Sequence, residues 1–363
     1  MRKFAVIGAG NAGSTLAAHL KLLGQEVSIY DVVESQLAPI IKNDNTVNLT
    51  GNIEVSGPAK IDLVTMDLAE AIAGAELIIC TTPAHVHKFV AKDLAGCAQS
   101  GQILMLNPGR TGGVLEVRKV LQEQNCQADI LVVESQSILY ACRREEATIK
   151  VFGVKNRIPC AGQPEAEINR FFEIIQTVFP QFVPAEHGIW TTSLDNIGML
   201  FHPTPTIMNL GRMESGLVFD YYIDGFSPTI AHMVEKLDAE RLQVAAAIGI
   251  KLPTVVEWLE TNYNAVGDDL YQALQNNDSY RGIRAPVLKG REAKLGLRYV
   301  IEDVPSGLVP FSELGKKFGV PTPAMDTIIN LANILFETDF RAKGRNLAQL
   351  GLDTMTVEDI RKL

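Results

Sequence analysis

Cysteine is scarce and unpatterned in this chain. Cys80, Cys97, Cys126, Cys142 and Cys160 are odd in number and irregularly spaced, and no C-x-x-C occurs. Neither a disulfide framework nor a zinc knuckle is indicated, and the thiols read as reduced cysteines of a cytosolic protein. Long apolar runs are missing too: none approaches the roughly 18 residues that a membrane span needs. The first strand is expected within four residues of Met1, which leaves no room for a signal peptide, so the expected location is the cytoplasm. No low-complexity tract or repeat of roughly 20–50 residues is visible, which argues against solenoids and propellers. Positive charge is in deficit: 33 Lys and Arg against 42 Asp and Glu give a net charge of -9 at pH 7. Such a field repels phosphate backbones and acidic lipid surfaces, so neither nucleic acid nor membrane is expected as a partner. Metal-ligand spacing is absent as well. His85 and His87 stand two apart with no third ligand, and no metal is expected.

What is present suits two domains. The chain has 363 residues, 47% of them hydrophobic, which exceeds one ordinary core. Residues 3–8 read as a buried strand followed at once by glycines, and residues 12–23 carry helical periodicity up to Gly24. Further strands are expected at 26–30, 76–81, 102–106 and 129–134, with one or two more between Thr148 and Cys160. Near-continuous apolar strands alternating with helices argue for a parallel sheet covered on both faces. After about Pro184 the pattern becomes helical, with one helix from near Pro228 to Ile248 and another starting near Pro323. The expected fold class is α/β: an N-terminal parallel-sheet domain over 1–187 followed by an all-helical C-terminal domain over 188–363.

Gly8-Ala9-Gly10-Asn11-Ala12-Gly13 matches G-x-G-x-x-G and sits between an apolar strand and an amphipathic helix. In that context it marks a Rossmann dinucleotide site. Gly8 permits the tight turn, Gly10 the approach of the pyrophosphate, and Gly13 close packing of helix on strand. The N–H groups of Asn11 and Ala12 open the helix toward the phosphates. Asp31 ends the second strand, where a carboxylate accepts from ribose hydroxyls and repels a 2′-phosphate, so NAD is expected and NADP is the alternative. A turn-capping Asp31 would leave that choice open. Thr82 and Pro83, and likewise Asn107-Pro108-Gly109, follow strands at the ligand edge of such a sheet. They are expected contacts to the nicotinamide half, although loop residues of this kind need no ligand.

The second half carries a resemblance. His202-Pro203-Thr204-Pro205-Thr206, with Asn209 and Arg212, resembles the segment that holds the catalytic histidine of opine dehydrogenases. Arg298-Tyr299-Val300-Ile301-Glu302-Asp303-Val304-Pro305 is similar to that family's Arg…Glu-Asp-Val-Pro segment, and Gly307 to Gly315 continues it. Asn107-Pro108-Gly109, Thr111-Gly112-Gly113 and Tyr140-Ala141-Cys142-Arg143 match in the first half. The resemblance is nearest to the bacterial N-(1-carboxyethyl)-norvaline dehydrogenase type and more distant to octopine dehydrogenases.

It implies NAD(P)H-dependent reductive condensation of an amino acid with a 2-oxo acid, pyruvate by family habit, through an imine. It also implies a homodimer. Carried over, His202 is the general acid/base and Asp303 its orienting partner. Arg298 clamps a substrate carboxylate, and Cys142 and Thr206 lie beside the substrate. The residue types suit the chemistry: histidine moves protons near neutral pH, a carboxylate on its other nitrogen fixes the tautomer, and an arginine fork matches a carboxylate. Each has a plainer reading. His202 suits a buried structural histidine, Asp303 a turn cap, Arg298 a surface arginine, and Cys142 a small core residue. Arg143, beside Arg144, is solvated or pairs with Glu145 or Glu146. Two other functions compete, a 2-hydroxy acid or sugar-phosphate dehydrogenase of the same plan and a non-catalytic dinucleotide sensor. The former commonly relies on a lysine in the helical domain, and residues 187–230 contain none.

Overall fold

The computed structural model describes all 363 residues, the side chains of Arg291, Glu292 and Lys294 excepted. The chain divides into two compact units, Met1–Ser193 and Leu194–Leu363.

Twelve strands lie in the first unit: β1 (Lys3–Ile7), β2 (Glu26–Tyr30), β3 (Thr46–Gly51), β4 (Gly57–Lys60), β5 (Leu63–Thr65) and β6 (Leu77–Cys80), then β7 (Ile103–Leu106), β8 (Leu131–Ser135), β9 (Tyr140–Glu145), β10 (Thr148–Val154), β11 (Ile158–Gln163) and β12 (Phe182–Pro184). Eight of them form one sheet in the order β12-β11-β8-β7-β6-β1-β2-β5. Its centre is parallel, the pairing of β11 with β8 is antiparallel, and β12 follows β11, so these two strands at one edge run opposite to the others. Every residue of β6, β7 and β8 is buried, as expected of apolar strands covered on both faces.

A second sheet, β4-β3-β10-β9, was not anticipated as a separate layer. The stretch from Thr148 to Cys160 does supply two strands, but they go to different sheets. The helix Asn11–Leu22 touches β1 and β2 of the large sheet and β3, β4 and β9 of the small one. That double cover explains why it is buried without interruption from Gly13 to Leu20.

The units part after Ser193, not after 187. The helix Gly188–Leu194 brings Thr192 and Ser193 to the fully buried Glu134 of β8, to which their hydroxyls donate at 2.5 and 2.8 Å. A buried carboxylate needs such donors, and they fasten most of this helix to the first unit.

The second unit is helical. Its longest helix, Pro228–Ile248, starts on Ser227, whose hydroxyl accepts from the Ile230 N–H, and ends at Gly249 with φ +108°. It packs against the helices Pro203–Met208, Leu270–Gln275, Val309–Phe318 and Pro323–Phe336. No described helix of the chain is long and apolar enough to cross a membrane.

Candidate active site

In the first unit the site grows from the loop after β1. Gly8 adopts φ +99°, and its N–H donates to the Tyr30 carbonyl at 2.8 Å. A Cβ on Gly13 would stand 1.8 Å from the Gly8 carbonyl oxygen, so only glycine lets the helix Asn11–Leu22 start this close to the strand. A Cβ on Gly10 would meet nothing within 4 Å, which leaves the loop open to a ligand on that side. No side chain caps the helix, and its first turn carries no acidic residue. Uncapped N–H groups and the positive end of the helix dipole suit a pyrophosphate.

Asp31 is held in place: Oδ2 accepts from the Ala9 N–H at 2.7 Å and Oδ1 from the Val33 N–H at 2.9 Å. Each oxygen keeps a lone pair, enough for two ribose hydroxyls. The residues present therefore fit a dinucleotide. Thr82 and Pro83 stand half-buried just past β6. The Thr82 hydroxyl is 3.2 Å from Cys80 Sγ, and its carbonyl is 3.2 Å from His87 Nε2.

Cys142 belongs to the first unit. It lies on β9 with Sγ 3.6 Å from the Asn11 carbonyl, against the first turn of the glycine-loop helix. Burial pushes its thiol above the usual range, so it is protonated near neutral pH. Its neighbour but one, Arg144, is half-buried, and its guanidinium donates to the Ala9 carbonyl of the loop.

In the second unit the two motif segments meet. His202 Nδ1 is 2.9 Å from Asp303 Oδ2, across 101 positions of sequence. Asp303 is 2% exposed, and the histidine side chain 18%. Glycine makes the meeting possible. Asp303 opens the π-helical turn Val304–Leu308, where a Cβ on Gly307 would stand 2.6 Å from Met199 Cβ, in the helix Gly198–Phe201 that ends on His202. Pro203 at the first position of Pro203–Met208 starts a new helix directly after the histidine.

Tyrosines that the sequence reading passed over surround the imidazole. Tyr222 OH is 3.2 Å from Nε2, and the Tyr299 ring stacks on His202 at 4.3 Å and 12°. Tyr221 OH donates to the His202 carbonyl at 2.9 Å, so the Thr206 hydroxyl, 2.7 Å away, donates to Tyr221. Thr206, expected beside the substrate, is fully buried and braces the histidine backbone through Tyr221. Burial pushes the hydroxyls of Tyr221 and Tyr222 well above the usual phenol range. Arg298 is exposed, and its Nε and Nη2 both donate to Glu302 Oε2, at 3.0 and 2.6 Å. Three of the five guanidinium donors remain for a carboxylate.

This is the constitution of a dinucleotide-dependent dehydrogenase with a separate helical unit that carries a histidine–carboxylate pair. Residues 3–138 match the NAD-dependent glycerol-3-phosphate dehydrogenase N-terminus, and residues 185–336 match the alpha-helical domain of NAD/NADP octopine/nopaline dehydrogenases. The opine dehydrogenase of Arthrobacter sp. (strain 1C) is 38% identical over 361 residues, covering 99% of this chain and 98% of its relative. Among solved structures, octopine dehydrogenase in complex with NADH and agmatine superposes with a TM-score of 0.79, and its complex with NADH and pyruvate with 0.75. Both are 21% identical and cover 100% of this chain and 98% of the other. Yersinopine dehydrogenase bound to NADP+ gives a TM-score of 0.76 at 15% identity, with the same coverage.

The chain belongs to the opine dehydrogenase family and is an NAD(P)-dependent oxidoreductase acting on CH–NH groups. The sugar-phosphate match is confined to the dinucleotide half, while the helical unit carries the octopine/nopaline match.

Proposed function

We propose that the protein joins the amino group of an amino acid to pyruvate, forms the imine with loss of water, and reduces it to an N-(1-carboxyethyl) amino acid. The observation that carries this reading is the chain Asp303–His202–Tyr222, in which both ring nitrogens of the histidine have defined partners. Asp303 accepts from Nδ1–H, which leaves Nε2 as the atom that exchanges protons. Nε2 gives a proton to the departing hydroxyl of the carbinolamine and, in the reverse direction, takes one from the water that adds to the imine. The imidazolium formed in that reverse step is stabilised by the carboxylate of Asp303 at 2.9 Å. Arg298 holds a substrate carboxylate through its remaining donors, a geometry that lysine cannot copy.

Gly8, Gly10, Asn11, Ala12 and Gly13 cradle the pyrophosphate, Asp31 takes the adenosine ribose, and Thr82 and Pro83 line the nicotinamide half. The nicotinamide, when bound, supplies the hydride, and the protein's part is to orient it. Asp31 favours NADH over NADPH. Pyruvate is supported by the octopine dehydrogenase complex that contains it.

The protein works as a homodimer in the cytoplasm. Exposed Leu217, Val218, Ile283 and Val287 on the helical unit suit a subunit contact, and five free cysteines suit a reducing compartment. Light scattering of the purified chain tests the dimer.

NADH oxidation followed with pyruvate plus each amino acid in turn, beside an amine-free control, tests the reaction. Amine-dependent oxidation is the expected result and names the amino acid. Equal oxidation with pyruvate alone overturns the reading in favour of a 2-hydroxy acid dehydrogenase.

A further inference from the structure

Ala9 sits between the first two glycines of the dinucleotide loop, and the peptide groups on both sides of it are held. Its N–H donates to Asp31 Oδ2 at 2.7 Å. Its carbonyl accepts from Ser14 Oγ at 2.8 Å and from Arg144 Nη1. Arg144 belongs to β9 of the small sheet, 135 positions from Ala9. Nη1 also donates to Ser14 Oγ at 3.0 Å, Nη2 to the Gln36 carbonyl at 2.7 Å, and Nε to the Glu146 carbonyl at 2.6 Å. The main-chain N–H of Arg144 donates to Asn11 Oδ1 at 3.0 Å, which orients the first side chain of the loop's helix.

Four guanidinium N–H bonds thus tie together four pieces of chain: the glycine loop, the first turn of Asn11–Leu22, the helix Glu34–Lys42 that follows Asp31, and the turn between β9 and β10. The consequence follows from peptide geometry. In a trans peptide the C=O and the next N–H point in opposite directions. With the Ala9 carbonyl drawn onto Arg144 and Ser14, the Gly10 N–H faces away from them. Gly10 is the residue at the head of the uncapped helix. The bond to Gln36 meanwhile sets how far the loop stands from the segment that carries Asp31.

We infer that Arg144 is a positioning residue for the dinucleotide, fixing the direction of the Gly10 N–H and the spacing between the pyrophosphate loop and the ribose carboxylate. The inference rests on the proposed assignment of the glycine loop as the cofactor site. A half-buried guanidinium spends its bonds on main-chain oxygens at the cost of hydration, and a fork of fixed shape does this where a point charge does not. The small sheet therefore has a task beyond covering the helix: it carries the brace of the loop.

The test is titration of the full chain with NADH, read by nicotinamide fluorescence without substrates. Arg144→Ala is expected to raise the Kd for NADH about 10-fold or more, and Arg144→Lys to behave like Ala rather than like the parent. In steady state the KM for NADH rises, while kcat at saturating NADH and the KM of both substrates stay within about 2-fold. A merely structural role would lower kcat along with thermal stability. NADH binding as tight as the parent's in Arg144→Ala removes Arg144 from the site, and full rescue by Lys replaces the brace with simple charge. If Arg144→Ala does not fold, Arg144→Lys decides together with Ser14→Ala, which takes one donor from the same carbonyl and is expected to raise Kd by about 2–5-fold. Unchanged Kd in both overturns the inference. Gly10→Leu separates the two layers of the reading, because a side chain there enters open space in an ordinary backbone conformation. If Gly10→Leu abolishes NADH binding and Arg144→Ala leaves it intact, only the role of Arg144 falls. If Gly10→Leu binds NADH normally, the loop is not the cofactor site and both fall.

Discussion

Replacing Tyr222 by phenylalanine removes one oxygen from the surroundings of His202 and leaves the ring packing unchanged. Three groups face the imidazole: Asp303 on Nδ1, the Tyr222 hydroxyl on Nε2, and the Tyr299 ring on its face. Burial is the main reason the Tyr222 hydroxyl lies well above the usual phenol range, with Tyr299, Tyr221 and Tyr280 adding to it. It therefore keeps its proton through neutral pH and donates it to the Nε2 lone pair. A donor on that lone pair stabilises the neutral ring and not the imidazolium, which has no lone pair to offer. A neutral hydrogen bond of this kind is worth about 0.5–1.5 kcal/mol. At about 1.36 kcal/mol per factor of ten, its loss disfavours the neutral ring by about 2–13-fold.

The sign follows from which form is favoured. Without the donor the proton-accepting form of the ring is less favoured, so activity that needs it is lost sooner as pH falls. In the oxidative direction the acid limb of log kcat/KM for the opine therefore shifts to higher pH by about half to one unit. The assay is NADH formation at saturating NAD+ over a pH series, with Tyr222→Phe beside the parent and circular dichroism to establish folding. An acid limb that stays in place, or moves to lower pH, refutes the argument that Tyr222 donates to Nε2.

Four other outcomes are expected. His202→Ala lowers kcat about 100-fold or more while the Kd for NADH is unchanged, and joint loss of both would mark the histidine as structural. Arg298→Lys raises the KM for the amino acid and the oxo acid about 5–10-fold although the charge is kept, because the fork is lost; unchanged KM for both takes Arg298 out of the site. Asp31→Asn raises the ratio of kcat/KM for NADPH over NADH about 10-fold, since the charge that repels a 2′-phosphate is gone. Arg241→Met is destabilising by about 3–5 kcal/mol in urea unfolding, because it strands a buried carboxylate. Arg241 is fully buried, donating from Nε to Asp238 Oδ1 at 2.8 Å and from Nη2 to the Pro253 carbonyl at 2.6 Å.

The parts of the fold that were legible in the amino-acid order are those whose signal is local. β6 and β7 are short apolar runs bounded by polar residues, and a strand buried on both faces looks like that. The helix Pro228–Ile248 has proline at its start and glycine past its end, so even its limits could be read. The small sheet offered no such signal. β4 is Gly-Pro-Ala-Lys, and β3 is buried only at alternate positions and ends in glycine. What makes strands of these segments is the pairing of β3 with β10, about a hundred positions away, and no local pattern announces that partner. The division after Ser193, a little past the expected limit near 187, has a related reason. A run of helical residues after 187 was assigned to the helical half, whereas Glu134 binds Thr192 and Ser193 to the first unit.

The site divides along the same line. The residues that the proposed function assigns to cofactor, substrate and proton transfer stand in motifs that the sequence displays: the three glycines, Asp31, His202 and its partner Asp303. Residues that hold those groups in place do so by satisfying main-chain atoms of distant elements, and their own neighbours in sequence are misleading. Arg144 stands beside Glu145 and Glu146, yet its guanidinium crosses to Ala9 and Gln36. Tyr221 and Thr206 look like core residues and prove to be the support of the His202 carbonyl. Gly307 lies in a motif segment, but its need for a missing Cβ exists only because Met199 presses against it. Motifs thus report the atoms that face a ligand, while the precision of those atoms depends on side chains that only the folded structure brings to them.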